Sequence, residues 1–252
     1  MTGERIRGKL QQIEEDNPIR IVDARLLGSR AMGVDHDRSD YDIRFIFAQD
    51  PMEYVKLSGD YIGTLDRPGE QIDLHGWNVD KFADLALDSD PNIVEYCRHT
   101  GRNCYVQRHG EAFDYVAEEV VNNANHMSLY NHYMSLAKRN HSKYVDDGAG
   151  PANRQFHVLR GVACAQYLRR ACEVPPLYVP SLIGSGYLNA NVASTLDKLA
   201  GIKSSGNGSR ELADQVGKFY QTESSYDIEP IDRRIRSPDR RSFDVLLTET
   251  IK

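Results

Sequence analysis

The chain has 252 residues, 40% hydrophobic and 27% charged, with a formal net charge of −6. That length buries one large core or two modest ones, and the composition is close to that of soluble globular proteins, which excludes a fibrous or wholly disordered class. The negative balance excludes global attraction to nucleic acid, so any polyanion partner must be held by a local cluster of cations.

No apolar run reaches the roughly 18 residues needed to cross a bilayer, and the opening MTGERIRGKLQQIEEDNP is too charged for a signal peptide. A cytoplasmic location without a membrane partner is therefore expected. Four cysteines, Cys97, Cys104, Cys164 and Cys172, show no C-x-x-C spacing and read as reduced, part-buried small hydrophobes rather than as zinc ligands.

In chain order, Ile6, Leu10 and Ile13 mark a first helix over 3 to 16, closed by Asn17-Pro18. IRIVDARLL at 19 to 27 is aliphatic, bounded by Gly28, and reads as a strand. DIRFIF at 42 to 47 alternates and stops at Asp50-Pro51, a second strand; PMEYVKL is then a short helix or turn. QIDLHGWNV at 71 to 79 gives a third strand with Asp73 on its polar side. From Asn78, a cap candidate, the chain turns helical, breaks at Asp90-Pro91 and restarts there.

Beyond residue 110, the stretches 111 to 143 and 153 to 172 carry helix spacing, with almost no proline or glycine. DDGAGP at 146 to 151 reads as a loop, VPPLYVPS at 174 to 181 as extended, and SSGNGS at 204 to 209 as a flexible turn. The expected class is α/β (α+β), a small mixed sheet flanked by helices and followed by a mainly helical C-terminal part. The expected division is 1–108 and 109–252.

The chemistry centres on GSRAMGVDHDRSDYDIRFIF at 28 to 47. Asp40 and Asp42, two apart on a strand, point to one face, where adjacent carboxylates repel unless a cation compensates. A divalent metal does this best, and Mg²⁺ takes hard carboxylate oxygen while leaving positions open for phosphate and water. Asp73 could complete a three-carboxylate cluster. Gly28-Ser29, with Ser29 capping a short helix Arg30-Ala31-Met32, would offer backbone N–H groups and close approach to a phosphate chain. Metal carboxylates and a phosphate cradle on one short link suit nucleotidyl transfer.

These residues resemble the DNA polymerase β-type nucleotidyltransferases, whose signature is hydrophobic-Gly-(Gly/Ser), about ten residues, then Asp-hydrophobic-Asp. Here it stands as Leu27-Gly28-Ser29, ten residues, Asp40-Tyr41-Asp42-Ile43. The fuller string, with DLHGWNVDKFADLALDSDPNIVEY, is similar to the predicted nucleotidyltransferases associated with bacterial and phage RNA repair, the YcgL or RlaP type. Asp73, Gly76, Trp77, Lys81 and Glu95 match that group, although the order here is Asp90-Pro91-Asn92 where the group usually has Asn-Pro. HYMSLAKRN at 132 to 140 and RQFHVLRGVACAQYL at 154 to 168 are also similar.

The resemblance implies a nucleotidyltransferase fold using NTP and two Mg²⁺ (or Mn²⁺) ions, acting on RNA. It implies Asp40 and Asp42 as the catalytic carboxylates that hold the metals and Asp73 as the third, placed to accept the acceptor hydroxyl's proton or to bind the second metal. Gly28 and Ser29 would contact the triphosphate, and Arg30, Arg44, Lys138, Arg154 and Arg160 match basic positions. AMP or UMP transfer to a protein side chain is the alternative, and a non-catalytic nucleotide- or RNA-binding module a third reading. Retention of three mutually repelling carboxylates argues against the third. Asp35, His36 and Asp37 read as a polar turn, His75 as an ordinary strand histidine and Trp77 as a packing residue. For the basic runs around Lys138 and Arg160, a solvated helix face and phosphate or RNA contact weigh equally. The preferred base and the oligomeric state leave no mark in the sequence.

Overall fold

The computed structural model describes residues 2–57, 59–99, 104–146, 151–203, 210–226 and 237–250. β1 (Ile19–Leu27), β2 (Tyr41–Gln49), β3 (Thr64–Arg67), β4 (Ile72–Asn78) and β5 (Cys104–Gln107) form one sheet in the order β3-β4-β2-β1-β5. β2 and β4 run parallel, and the other neighbours are antiparallel. The mixed sheet is as expected, but β3 and β5 are additions. TLDR and CYVQ are four-residue edge strands with at most one buried position each, so neither carries an alternation long enough to read.

The chain divides into two compact units: Met1–Ala31, Arg38–Ala124 and Ser237–Lys252 in the first, Met32–Asp37 and Asn125–Arg236 in the second. The expected 108/109 division falls between β5 and α5 (Gly110–Asn122), whereas compactness places α5 with the sheet.

In the first unit, α1 (Thr2–Asp16) lays Ile6, Leu10 and Ile13 on one face of the sheet, against Ile21, Ala24, Leu26, Ile43, Phe45, Ile72 and Leu74. Alternation along β1, β2 and β4 sends the intervening residues to the other face. That face is covered by α3 (Val79–Leu87), α4 (Pro91–Arg98), α5 and α11 (Arg240–Thr250), through a ring cluster of Trp77, Tyr96, Phe113, Phe82 and Phe243. Asp90 caps α4, accepting from the amides of Asn92 and Ile93. Asn78 makes no side-chain cap for α3. It is fully buried, donates to Gln49 Oε1 and the Ile62 carbonyl, and accepts from the Tyr54 hydroxyl, so it ties down the segment after β2.

The second unit is helical: α6 (His126–Asp146), α7 (Ala152–Ala171), α8 (Val179–Ile183), α9 (Ala190–Ile202) and α10 (Arg210–Ser224). α7 is its central helix, buried along most of its length, and crosses α6 closely at Gly161, where an added Cβ would lie 2.6 Å from the Tyr133 carbonyl oxygen. The stretch expected to be extended at 174–181 is so only up to Tyr178, because Pro180 sits in the first turn of α8, where its missing N–H costs nothing. Most of the loop expected at 146–151 and all of the turn expected at 204–209 lie outside the described residues. Among the described residues no helix is long and apolar enough to cross a membrane.

A buried charge network fixes β1 where it approaches the site. Asp23 is 0% and Arg25 3% exposed. Arg25 Nε donates to Asp23 Oδ1 at 2.7 Å and Nη1 to the His99 carbonyl at 2.7 Å, while the Tyr96 hydroxyl donates to Asp23. The Arg25 guanidinium also sits 4.6 Å from the Phe113 ring centroid. Burial pushes the Asp23 carboxyl above its usual range, against the pull of Arg25. Removing one partner of such a pair leaves the other buried and uncompensated. Asp23→Ala should therefore cost about 3–5 kcal/mol of unfolding free energy in urea titration of the full chain. A loss below about 1 kcal/mol would mean that Asp114, 3.6 Å from Arg25 Nη2, carries the charge instead.

Candidate functional site

The site is built by strand register. β2 and β4 are parallel with Asp42 paired to Asp73, and β1 runs back along β2 with Leu27 opposite Asp42. Laterally paired residues project to the same face, so the second position of β2 and the second of β4 set two carboxylates side by side at one end of the sheet. Both are about one-third exposed: the side chains retain 33% and 37% of their accessible surface.

Gly28, which follows Leu27 directly, has φ +65°, and a Cβ there would stand 1.8 Å from Asp42 Oδ2. Two constraints thus require glycine at this position: the left-handed backbone and the carboxylate itself. The Gly-Ser of the motif and its second aspartate touch in space, and the absent side chain leaves the room that Asp42 Oδ2 takes.

Arg44, two residues beyond Asp42 on the same face of β2, lies between the acids. Its Nη1 is 3.1 Å from Asp73 Oδ2 and its Nη2 3.9 Å from Asp42 Oδ1. The repulsion between Asp42 and Asp73 is compensated within the chain by a guanidinium. A cation already stands where the carboxylates converge, and their hard oxygens are the donors a divalent ion takes, so the pair fits Mg²⁺ or Mn²⁺. Asp40 is placed differently from expectation. β2 begins at Tyr41, and Asp40 lies on the exposed approach ahead of it. Among the described residues no three His, Cys, Asp or Glu side chains come together as a metal cage. What the fold gathers is the pair Asp42 and Asp73.

The other expected residues have distinct positions. Ser29 and Arg30 sit in α2 (Gly28–Ala31), which starts one residue earlier than the expected cap and is a single turn. Arg30 donates through Nε and Nη2 to the Ser39 carbonyl at 3.2 and 2.8 Å and stacks 4.0 Å from the Tyr41 ring centroid, clasping both ends of the linking segment. Lys138 and Arg160 belong to the second unit. Lys138 is exposed on α6. Arg160 is only 6% exposed, 5.9 Å from the Tyr133 ring centroid, so the solvated-face reading does not hold for it.

Two features escaped the sequence. His75, in register with Arg44, makes a short contact through Nδ1 with Asp66 of β3, a strand that itself went unread. The middle of the motif's link, Met32–Asp37, is grouped with the helical unit, where the Met32 carbonyl accepts from the Val179 amide at 3.0 Å and the Tyr178 ring lies against Gly33. VPPLYVPS gave no sign of that partnership.

A cavity of about 460 Å³ is lined by Arg25, Cys97, Arg98, Cys104, Asp114 and Glu118 among others. Burial pushes the Cys97 thiol well up and that of Cys104 to about 11, so both stay protonated near neutral pH and neither is a ready nucleophile.

A family profile described as RlaP, the RNA repair pathway DNA polymerase beta family, matches residues 2–249. An uncharacterized protein of Bacillus subtilis (strain 168), YcgL, is 27% identical over 207 residues, covering 77% of this chain and 75% of that protein. A solved nucleotidyltransferase-like protein from Exiguobacterium sibiricum 255-15 is 11% identical, covers 88% of this chain and 76% of that one, and has a TM-score of 0.28, a similarity that carries no argument. The profile spans nearly the whole sequence, both the motif of the first unit and the helices of the second: the chain belongs to the RlaP, RNA repair pathway DNA polymerase beta, family.

Proposed function

We propose that the protein is a metal-dependent nucleotidyltransferase that moves a nucleoside monophosphate from an NTP to a hydroxyl of RNA, releasing pyrophosphate. The observation that supports this most is the lateral pairing of Asp42 with Asp73 beside Gly28. Membership of the family supports the nucleotidyltransferase class, and a cytoplasmic place goes with this reading.

Two Mg²⁺ or Mn²⁺ ions, when bound, supply charge neutralisation at the transferring phosphoryl group and activation of the attacking hydroxyl. In our assignment Asp42 and, from the exposed approach ahead of β2, Asp40 would hold them. Asp73, on the neighbouring strand, would accept the proton of the acceptor hydroxyl or bind the second ion. The Gly28-Ser29 backbone, with Asp42 packed against Gly28, would meet the triphosphate. Arg44 supplies positive charge beside it. The net charge of −6 means that RNA must be held by such local cations rather than by the whole field.

The test incubates the full chain with each labelled NTP, total RNA and Mg²⁺, beside Asp42→Asn and Asp73→Asn, following pyrophosphate and label. Both variants should lose at least about a hundredfold in transfer, and chelation by EDTA should abolish it. Equal pyrophosphate release by wild type and Asp42→Asn would overturn the enzymatic reading. Label on polypeptide and none on RNA would replace the RNA acceptor with a protein. Nucleotide binding without turnover would leave a binding module.

Gly28→Ala separates the cradle from the fold. The new Cβ must push Asp42 aside, so turnover should fall about a hundredfold, while stability falls only by the left-handed strain of about 1–2 kcal/mol. Unchanged turnover in a folded Gly28→Ala protein would remove Gly28 from the site.

A further inference from the structure

We infer that Arg44 is a resident counter-cation which the divalent ion and the triphosphate displace together, so that each ligand binds weakly alone and strongly in the presence of the other. This rests on the nucleotidyltransferase reading above and adds an order of binding to it.

One guanidinium serves two carboxylates, at 3.1 Å from Asp73 and 3.9 Å from Asp42. It stands within ion-pairing distance of one oxygen of each acid, Oδ2 of Asp73 and Oδ1 of Asp42. With Arg44 in place, Asp42, Asp73 and Arg44 sum to one negative charge. Adding a divalent ion without moving Arg44 would crowd two cations onto the same oxygens, where like charges a few ångströms apart repel. The guanidinium must therefore leave as the ion enters, and a triphosphate arriving at Gly28 offers it new oxygens in the geometry that arginine takes best.

The surroundings show that Arg44 is held loosely enough to move. The residue opposite it on β1 is Arg25. Arg25 is 3% exposed and locked by Asp23, the His99 carbonyl and the Phe113 ring. Arg44 keeps 25% of its side chain in solvent, and both of its acids are about one-third exposed. Such part-exposed pairs are held less firmly than the sealed Arg25–Asp23 pair, and a further tie of Arg44 is a long donation from Nη1 to the Ile43 carbonyl at 3.3 Å. The neighbouring cation on β1 also bars one lateral route, since a freed Arg44 moving towards β1 would meet Arg25, while on the β4 side His75 is engaged by Asp66. Solvent, where the triphosphate comes from, is the open direction.

The experiment measures Mn²⁺ binding to the full chain by the electron paramagnetic resonance signal of free Mn²⁺. It is run with and without a non-hydrolysable NTP analogue, whose own Mn²⁺ binding is subtracted. Wild type should bind Mn²⁺ between about fivefold and a hundredfold more tightly with the analogue than without it. Arg44→Gln should bind Mn²⁺ alone more tightly than wild type by a similar factor and lose most of the enhancement. Arg44→Lys, which keeps the charge, should retain it. Arg44→Gln binding Mn²⁺ no more tightly than wild type, with the enhancement intact, overturns the inference while leaving the enzymatic reading in place. Mn²⁺ binding that Asp42→Asn does not weaken in either condition overturns both.

Discussion

Everything at the site depends on one register, the parallel pairing that sets Asp42 beside Asp73. A shift of one residue in either strand would send one carboxylate through the sheet to the α1 face, among Ile43, Phe45, Ile72 and Leu74, where it would be desolvated without a partner. The hydrophobic alternation that buries one face of β2 and β4 therefore also decides where the acids stand. The same pattern that closes the core aims the chemistry outward.

Around that pair the sheet places two arginines in direct register and treats them oppositely. Arg25 belongs to a sealed network whose partners come from β1, the segment after α4 and the aromatic side of α5, and that network holds the bulged strand leading to Gly28. Arg44 is shared between two part-exposed acids and open to solvent. A rigid cation behind and an exchangeable one in front suit a site whose scaffold must stay fixed while its occupants change. Gly28 lies at the end of β1 beside Asp42, where its left-handed backbone and the neighbouring carboxylate each require that it carry no side chain.

Much of this was legible in the sequence. Gly28, Asp42 and Asp73 are readable because glycine at a strand exit and aspartate on the polar side of an alternating strand each carry a physical signature, and their spacing ties them together. The mixed sheet and the helical later part are readable for the same reason of periodicity. The edge strands Thr64–Arg67 and Cys104–Gln107 are not, being too short to show a period. Asp40 looked equivalent to Asp42 because spacing of two implies one face only inside a strand, and the strand starts at Tyr41. Arg44 was visible as a basic residue, but its place between two acids depends on the pairing of β2 with β4, a strand distant in sequence. The grouping of Met32–Asp37 with the helical unit depends on Tyr178 and Val179, a long-range contact that no local pattern encodes.

The central claim is that Asp42 and Asp73 together hold a divalent ion in place of Arg44. The most direct measurement is anomalous scattering from crystals grown with Mn²⁺ and a non-hydrolysable NTP analogue. The account predicts a manganese peak about 2.0–2.2 Å from oxygens of both carboxylates, with the Arg44 guanidinium moved onto the phosphates. A peak bound elsewhere, with Arg44 still bridging Asp42 and Asp73, would contradict it.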